Sequence, residues 1–130
     1  MQYYYYDGTK EVRDTRMHDI YSVLKDNDID VYFQAQHKGD CLNPYVVVLS
    51  RGETRLSDMS STVTRIEVLC YVPLKEPSRI ESYCNEVKEA MKKLRPMVKP
   101  LYSDLGDYID DGIKAVMRTM QYQYYCKIDD

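Results

Sequence analysis

The sequence predicts a single α+β domain in which a mostly antiparallel sheet of four or five strands carries two α-helices packed on one face. Two segments repeat apolar residues at the three- and four-residue spacing of a helix with one buried side. Other segments alternate apolar and polar residues with the period of two that is typical of a half-buried strand. The chain of 130 residues has the length of one domain, and we place that domain at residues 14–130.

Residues 1–13 are rich in tyrosine and precede the predicted domain. The run Tyr3 to Tyr6 is followed by Asp7-Gly8, a dipeptide that favours a tight turn. An isolated two-stranded hairpin is marginal in water, so this segment needs a surface on which to lie. We therefore predict an N-terminal arm on a neighbouring subunit or a small hairpin.

The two predicted helices are marked by their starts and by their buried faces. The first begins at Asp14 or Thr15 as N-cap. The second begins with a capping box formed by Ser78 and Glu81, and Pro96 ends it. The apolar residues at helical spacing are Met17, Ile20, Tyr21 and Leu24 in the first helix, and Ile80, Tyr83, Cys84, Val87, Met91 and Leu94 in the second.

The predicted strands are short near the N-terminus and long near the C-terminus. Strands at 31–33 and 45–49 flank a turn-rich loop, and residues 97–103 form a short edge strand because Pro100 is tolerated only at an edge. The third strand, at 62–72, has Thr64, Ile66, Val68, Cys70 and Val72 on its core face. The terminal strand has Val116, Arg118, Met120, Tyr122, Tyr124, Cys126 and Ile128 on one face.

Two polar segments are predicted to be loops. Residues 50–61 carry both signs of charge without apolar periodicity, and residues 104–112 hold four aspartates and two glycines. Long loops without secondary structure of their own are often functional. We therefore expect the first of them to contact a partner or to line the lumen of an assembly.

The loop between the first two strands holds the residues from which catalysis could be built. His37 lies four residues before Cys41, and Asp40 could orient the imidazole of a thiol–histidine pair. No group that would bind an oxyanion can be identified around this pair. We therefore predict no catalytic residue and no enzyme, and we keep a small thiol-dependent enzyme using Cys41 and His37 as an alternative.

Metal and cofactor motifs are also weak in this sequence. His37, Asp40, Cys41 and the distant His18 do not have the spacing of a four-ligand zinc site. The aspartates of 104–112 lack the DxDxDG pattern of a calcium loop, and the scattered glycines form no phosphate-binding loop. We predict no metal site, no cofactor and no small-molecule substrate.

The charge balance disfavours several classes of partner. With 21 acidic and 18 basic residues the net charge is −3, which gives no steering towards free nucleic acid or an anionic membrane. The cations Lys88, Lys92, Lys93 and Arg95 are interpreted as a solvated helix face, with a nucleic-acid patch as the alternative. The four cysteines show no CxxC spacing, and the start of the chain lacks the features of a secretory signal. We expect reduced thiols in an intracellular protein.

Tyrosines cluster near both ends of the chain and have two interpretations, a sheet surface or a contact between subunits. Together with the charged residues of the 50–61 segment they form the predicted interface. Its members are Tyr3, Tyr4, Tyr5, Tyr6, Arg51, Glu53, Arg55, Asp58, Tyr122, Tyr124 and Tyr125.

The segment that joins the first two strands also carries a family resemblance. Its characteristic residues are Val31, Tyr32, Phe33, Gln36, His37, Lys38, Gly39, Cys41, Pro44 and Tyr45, and Tyr122-Gln123-Tyr124 matches a terminal strand motif. With the order of the predicted elements, these residues resemble the tail terminator class of small tail-completion proteins of long-tailed bacteriophages and prophages. The resemblance covers most of the chain after Asp14 and does not extend to residues 1–13.

The resemblance implies a structural protein that forms a homo-oligomeric ring, commonly a hexamer, on the end of the tail tube. Such a ring stops tube growth and joins the tail to the head connector, so the implied partners are further copies, tail-tube proteins and head-connector proteins. Nucleic acid would meet the ring only by passing through its lumen. The implied locations are the cytoplasm of the bacterial host during assembly and then the virion tail. A head-tail connector or a minor tail subunit is the nearest alternative.

Overall fold

The computed structural model of the protein describes residues 15–33, 37, 39–55, 61–101 and 106–127. The predicted arm at 1–13 therefore lies outside the described residues. The helices are α1 (Thr15–Asp26) and α2 (Arg79–Met91), and a 3₁₀ turn (Lys92–Leu94) follows α2. The strands are β1 (Val31–Phe33), β2 (Tyr45–Arg55), β3 (Ser61–Pro73), β4 (Val98–Pro100), β5 (Tyr108–Asp110) and β6 (Ala115–Lys127).

The strands form one sheet with both helices on one side. The order across the sheet is β1-β2-β3-β6-β4, and β5 pairs with the other end of β6 on the same edge as β4. The pair β1–β2 is parallel, whereas the other described pairs are antiparallel. This confirms the predicted α+β class with a mostly antiparallel sheet, and the six described strands slightly exceed the four or five expected.

The main core lies between the helices and one face of the sheet. The predicted core face of β3 is buried from Thr64 to Val72, and the alternate residues of β6 from Val116 to Tyr124 face the same way. Met17, Ile20 and Leu24 of α1 pack into this core with the apolar stripe of α2. The periodicity of the sequence therefore locates the core correctly. In the described part of the chain, no helix is both long and apolar enough to cross a membrane.

The connection between β1 and β2 returns across the face that carries no described helix. A parallel pair needs a crossover, because the second strand starts at the same end as the first. The N–H of Cys41 donates to the carbonyl oxygen of Ile113 at 2.7 Å, which fixes this crossover loop (residues 34–44, of which 37 and 39–44 are described) against the start of β6. Cys41, Tyr45 and Ala115 form a small second core there. We call this side of the sheet the helix-free face.

The prediction of a loop at 50–61 is wrong for most of its length. β2 continues to Arg55 and pairs with the start of β3, so residues 50–55 and Ser61 belong to strands. The register shifts between Ser50 and Gly52, and Gly52 has a φ of +110°. This bulge and the exposure of residues 51–55 remove the apolar alternation that normally indicates a strand.

The prediction of a loop at 104–112 is wrong for Tyr108–Asp110, which forms β5 against the start of β6. Residues 104 and 105 lie outside the described part. The aspartates around this strand are more typical of a loop, so the sequence does not indicate a strand here. One of them stabilises the turn that follows β5, because the Asp110 carboxylate accepts a hydrogen bond from the N–H of Gly112 at 3.0 Å.

The start of α2 is predicted correctly but its capping is not. Ser78 has helical backbone angles, with φ of −68° and ψ of −14°, and its side chain makes no capping hydrogen bond. Glu81 instead accepts a hydrogen bond from Arg118 of β6 at 2.6 Å. The capping box is therefore replaced by a contact between the helix and the sheet.

Candidate interaction surface

The most distinctive side-chain arrangement on the helix-free face is a stack of aromatic rings. The ring of Tyr45 lies between His37 and Tyr71, with centroid distances of 3.8 Å and 4.7 Å and interplanar angles of 10° and 12°. Tyr32 meets both His37 and Tyr45 edge-on, at 5.0 Å and 5.7 Å. Aromatic pairs in these geometries contribute beyond the area that they bury. Three of the residues that carry the resemblance, Tyr32, His37 and Tyr45, therefore form one packed unit.

The register of the sheet extends this stack into a row that crosses several strands. Tyr45 is the partner of Tyr71, Tyr71 of Met117, and Met117 of Tyr108. Residues opposite each other in an antiparallel sheet share a face, so all four side chains stand on the helix-free face. Tyr45 is 3% exposed, whereas Tyr108 at the far end of the row is 58% exposed.

The surroundings of Cys41 are those of a structural thiol. Cys41 is buried, and its thiol donates a weak hydrogen bond to the carbonyl oxygen of Asn43 at 3.5 Å. Burial raises the pKa of Cys41 to about 11, which disfavours the thiolate needed for nucleophilic attack. His37 stacks on Tyr45, and no hydrogen bond joins its imidazole to Cys41 among these described residues.

Other cysteines and candidate ligands are also placed for packing. Cys41, Cys70 and Cys84 are free and buried. The side chain of Cys126 lies outside the described part. In the ranges that the structure describes, no group of three or more His, Cys, Asp or Glu side chains could hold a metal ion.

Exposed apolar side chains are found at the two ends of β6. In the described part of the chain five large ones are exposed: Leu42, Met97, Tyr108, Ile109 and Tyr125. Tyr108 and Ile109 lie opposite the start of β6, and Leu42 follows the loop residue that is bonded to Ile113. We call this the acidic end, because Asp110 and Asp111 directly follow Tyr108 and Ile109 in the sequence, whereas the exposed Lys114 of the same turn faces the carboxylate of Asp40 at 3.8 Å.

The opposite end of β6 carries the other two exposed apolar side chains. Tyr125 is 51% exposed, and Met97 precedes Val98, the partner of Tyr124. Two exposed cations lie nearby, Arg65 on β3 and Lys99 on β4, and each is paired by register with Gln123 of β6. We call this the basic end.

The predicted interface residues divide between surface and core. Arg51, Glu53 and Arg55 are exposed on the β2–β3 hairpin, and Tyr125 is exposed at the basic end. Arg51 pairs with Glu67 at 2.8 Å, and Glu53 accepts a hydrogen bond from Thr62 at 2.8 Å. Tyr3 to Tyr6, Asp58, Gln36 and Lys38 lie outside the described residues.

Two predicted interface residues must be corrected. Tyr122 and Tyr124 are 5% and 1% exposed and belong to the main core, so their rings cannot contact another subunit. They stand on the helix side of β6 within the main core, whereas Tyr125 points the other way. The alternation in the sequence places Tyr122 and Tyr124 on the same strand face as Met120, which indicates burial. The clustering of tyrosines, which suggests an interface, is the less reliable signal at these two positions.

Sequence reasoning missed Leu42, Met97, Tyr108 and Ile109 as surface residues. A signal existed for the last two, since a β-favouring Tyr-Ile pair is followed closely by an Asp-Asp-Gly turn, as in a hairpin. No local signal marks Leu42 or Met97. Their exposure follows from the path of the chain.

Known proteins do not identify the family of this chain. No protein-family model matches it, and no curated protein matches it. We therefore infer the function from the motif residues on the helix-free face and from the two ends of β6.

Proposed function

We propose that this protein is a structural subunit of a phage or prophage tail, and that it forms a ring that terminates the tail tube and joins it to the head connector. The proposal rests on the resemblance of the segment from Val31 to Tyr45 and on the geometry of the protomer. The motif residues Tyr32, His37, Cys41 and Tyr45 serve packing, which suits a protein whose task is assembly.

The observation that carries the proposal is that the protomer has two unlike ends. Tyr108 of the acidic end and Tyr125 of the basic end lie eight β6 positions apart by register, which corresponds to about 26 Å along the strand. Each end combines exposed apolar area with charge, and the two charges are opposite. These are the properties of a self-complementary pair of surfaces.

Contact between unlike ends generates a ring. If two copies met through like ends, Asp111 would face Asp111 or Lys99 would face Lys99, which is unfavourable. Contact of the acidic end of one copy with the basic end of the next pairs opposite charges around an apolar centre. Such a heterologous contact closes into a ring when the rotation between neighbours permits it.

The first test is the oligomeric state of the isolated protein. Size-exclusion chromatography with light scattering over a range of concentrations should show a closed oligomer of defined mass. A protomer mass at every concentration would speak against a ring that forms without the tail.

Charge reversal tests the contact itself. Lys99→Glu cancels the net positive charge of the basic end, because Arg65 remains, and Asp111→Lys cancels the net negative charge of the acidic end, because Asp110 remains. Each variant alone should therefore associate more weakly than the wild type. An equimolar mixture should recover part of the association, because the unchanged acidic end of the Lys99→Glu variant can meet the unchanged basic end of the Asp111→Lys variant. Glu86→Lys, at an exposed position of α2, is the control and should associate like the wild type. Failure of the mixture to recover would exclude this contact.

The β2–β3 hairpin is proposed to meet the neighbouring ring or the head connector. Arg51 and Arg55 are exposed on it, and reversal of either charge should reduce tail joining in an assembling phage. Normal virion yields from Arg51→Glu and Arg55→Glu would contradict this role. A gene position between those for head-connector and major tail-tube proteins would support the proposal as a whole.

A further inference from the structure

A basic cavity lies between the C-terminal end of α2 and the outer edge of β6. Its volume is about 210 Å³, and its wall contains the three cations Lys88, Lys92 and Arg95. The remaining lining comes from the end of β4 and from β6, and includes Leu101, Met120 and Gln121. None of the residues that line it, within the part of the chain that the structure describes, is acidic.

The backbone holds these cations on one side of the cavity. Lys88 and Lys92 are four residues apart and therefore share a helix face. The N–H of Arg95 donates to the carbonyl oxygen of Lys92 at 3.1 Å, which fixes the turn that brings the guanidinium side chain alongside. On the opposite wall the N–H of Leu101 donates to the carbonyl oxygen of Gln121 at 2.9 Å, where β4 leaves β6. The cavity is thus part of the fold.

The local charge is strongly positive in a chain whose net charge is −3. Five cations and one acid occur between positions 88 and 99, and that acid, Glu89, pairs with Lys92 at 2.9 Å. The pair is exposed, with side-chain accessibilities of 52% and 70%, so water screens it and an anion can compete with it. Lys93 is directed away and donates to Asn27 of α1 at 2.7 Å.

The size and composition of the cavity indicate which class of ligand it can bind. One water occupies about 30 Å³ in the liquid and cavities for whole small molecules start at about 300 Å³, so the site suits a single anionic group. Arginine offers a planar pair of donors to a tetrahedral oxyanion, and lysines supply point charges. Three cations at one wall match a dianion better than a carboxylate.

We propose that the cavity between α2, β4 and β6 is a binding site for a phosphate-type dianion, with Lys92 and Arg95 as its principal ligands and Lys88 as a third cation. This site does not depend on ring formation, and none of its residues belongs to the acidic end or to the exposed apolar pair at the basic end. It gives the exposed cations at the end of α2 a specific ligand.

The test uses inorganic phosphate, pyrophosphate and acetate as probes at low ionic strength. Amide NMR titration of the wild type should give saturable shifts at residues 88–101 and 118–122 with both phosphates. Acetate should bind at least about tenfold more weakly, because it offers one charge and two oxygens. Absence of saturable shifts up to about 10 mM inorganic phosphate would overturn the proposal, because binding weaker than this does not mark a specific site. Equal binding of acetate would overturn it as well.

Paired variants separate a site from a diffuse charge effect. Lys92→Gln with Arg95→Gln should weaken the binding of inorganic phosphate about tenfold or more, since two charge-assisted hydrogen bonds are lost. Lys75→Gln with Arg79→Gln removes the same two residue types at exposed positions outside the cavity and should leave binding unchanged. Equal weakening by both double variants would show an adventitious ion only. Unchanged circular dichroism spectra would confirm that both variants fold.

Discussion

At the residue scale, Tyr45 links the crossover loop to the sheet. Its ring is 3% exposed and stacks on both His37 and Tyr71. The ring of Tyr45 contributes to the stability of the fold through its buried area and its stacking geometry, whereas its hydroxyl contributes less. The motif residues are therefore expected to act on stability.

Tyr45→Ala should lower the free energy of unfolding by about 3 kcal/mol or more, in the range of large aromatic truncations. Tyr45→Phe should retain most of the stability because the stack remains. Urea denaturation followed by circular dichroism provides the measurement. Tyr125→Ala is the matched control at a position that is 51% exposed, and it should change the free energy by less than about 1 kcal/mol. Similar losses for both alanine variants would contradict the role of the stack.

The buried thiol of Cys41 should make the free energy of unfolding depend on pH. Burial raises its pKa from 9.0 to about 11. Below pH 9 the thiol is protonated in both states, but between 9 and 11 the unfolded chain ionises first. The stabilisation is therefore present below the lower value and is lost as the pH rises through the upper one.

The difference in unfolding free energy between the wild type and Cys41→Ala should shrink as the pH rises from 9 to 11. Denaturation curves for both proteins at several pH values within that interval measure it. Tyr32, whose pKa is raised mainly by its hydrogen bond to Asp30, titrates in both proteins and cancels in the comparison. A constant difference across the interval would show that the thiol does not titrate differently on folding.

At the element scale, the β2–β3 hairpin depends on the bulge at Gly52. Its φ of +110° is one that residues with a Cβ rarely adopt, and a Cβ built there meets nothing within 4 Å. The cost of a side chain at this position is therefore backbone strain alone.

Gly52→Ala should destabilise the protein by about 1 to 2 kcal/mol through that strain. Gly106→Ala is the control, since a Cβ there also meets nothing within 4 Å and its φ is not in the left-handed region. Thermal unfolding of the two variants beside the wild type gives the comparison. Equal stability of the two variants would mean that the hairpin relaxes into another register.

The elements that the sequence predicts well are those whose burial is periodic. The stripes of α1 and α2 and the alternation of β3 and β6 each require the same face to be apolar along the element. Apolar periodicity does not identify the polar half of β2, whose side chains are exposed to solvent, or the strand β5, which is followed by turn-forming aspartates. Their strand character comes from pairing with distant residues, which no local window contains.

The candidate surface is less predictable than the fold for a similar reason. The stack depends on Tyr71, which lies 26 positions after Tyr45 in the sequence, and on the side of the sheet that the crossover takes. The two ends of β6 arise from the path of β4 and β5. The motif residues could be singled out from the sequence, but their mutual contacts could not.

At the scale of the whole molecule, the two ends of β6 make association dependent on ionic strength. The proposed contact pairs opposite charges around apolar side chains, so screening removes one contribution and leaves the other. A ring held in this way should be weakened by salt without being abolished.

Raising the NaCl concentration from about 0.1 M to about 1 M shortens the Debye length from about 10 Å to about 3 Å. The dissociation constant for self-association should rise several-fold over this range, as measured by sedimentation equilibrium. Lys99→Glu should show a smaller salt dependence, because the charges of the introduced carboxylate and of Arg65 cancel and the acidic end of the neighbouring copy meets a surface without net charge. Salt-independent association of the wild type would indicate a purely apolar contact.

The shortness of β1 has a consequence for the behaviour of the protein at high concentration. β1 pairs only with Val46 to Val48, so none of the described strands covers the outer edge of β2 from Leu49 to Arg55. A bare strand edge is a template for aggregation. The bulge at Gly52 and the charges of Arg51, Glu53 and Arg55 interrupt that template. The bulge and the charges that make this strand hard to predict from the sequence thus also protect the protein from forming fibres by edge-to-edge pairing of sheets.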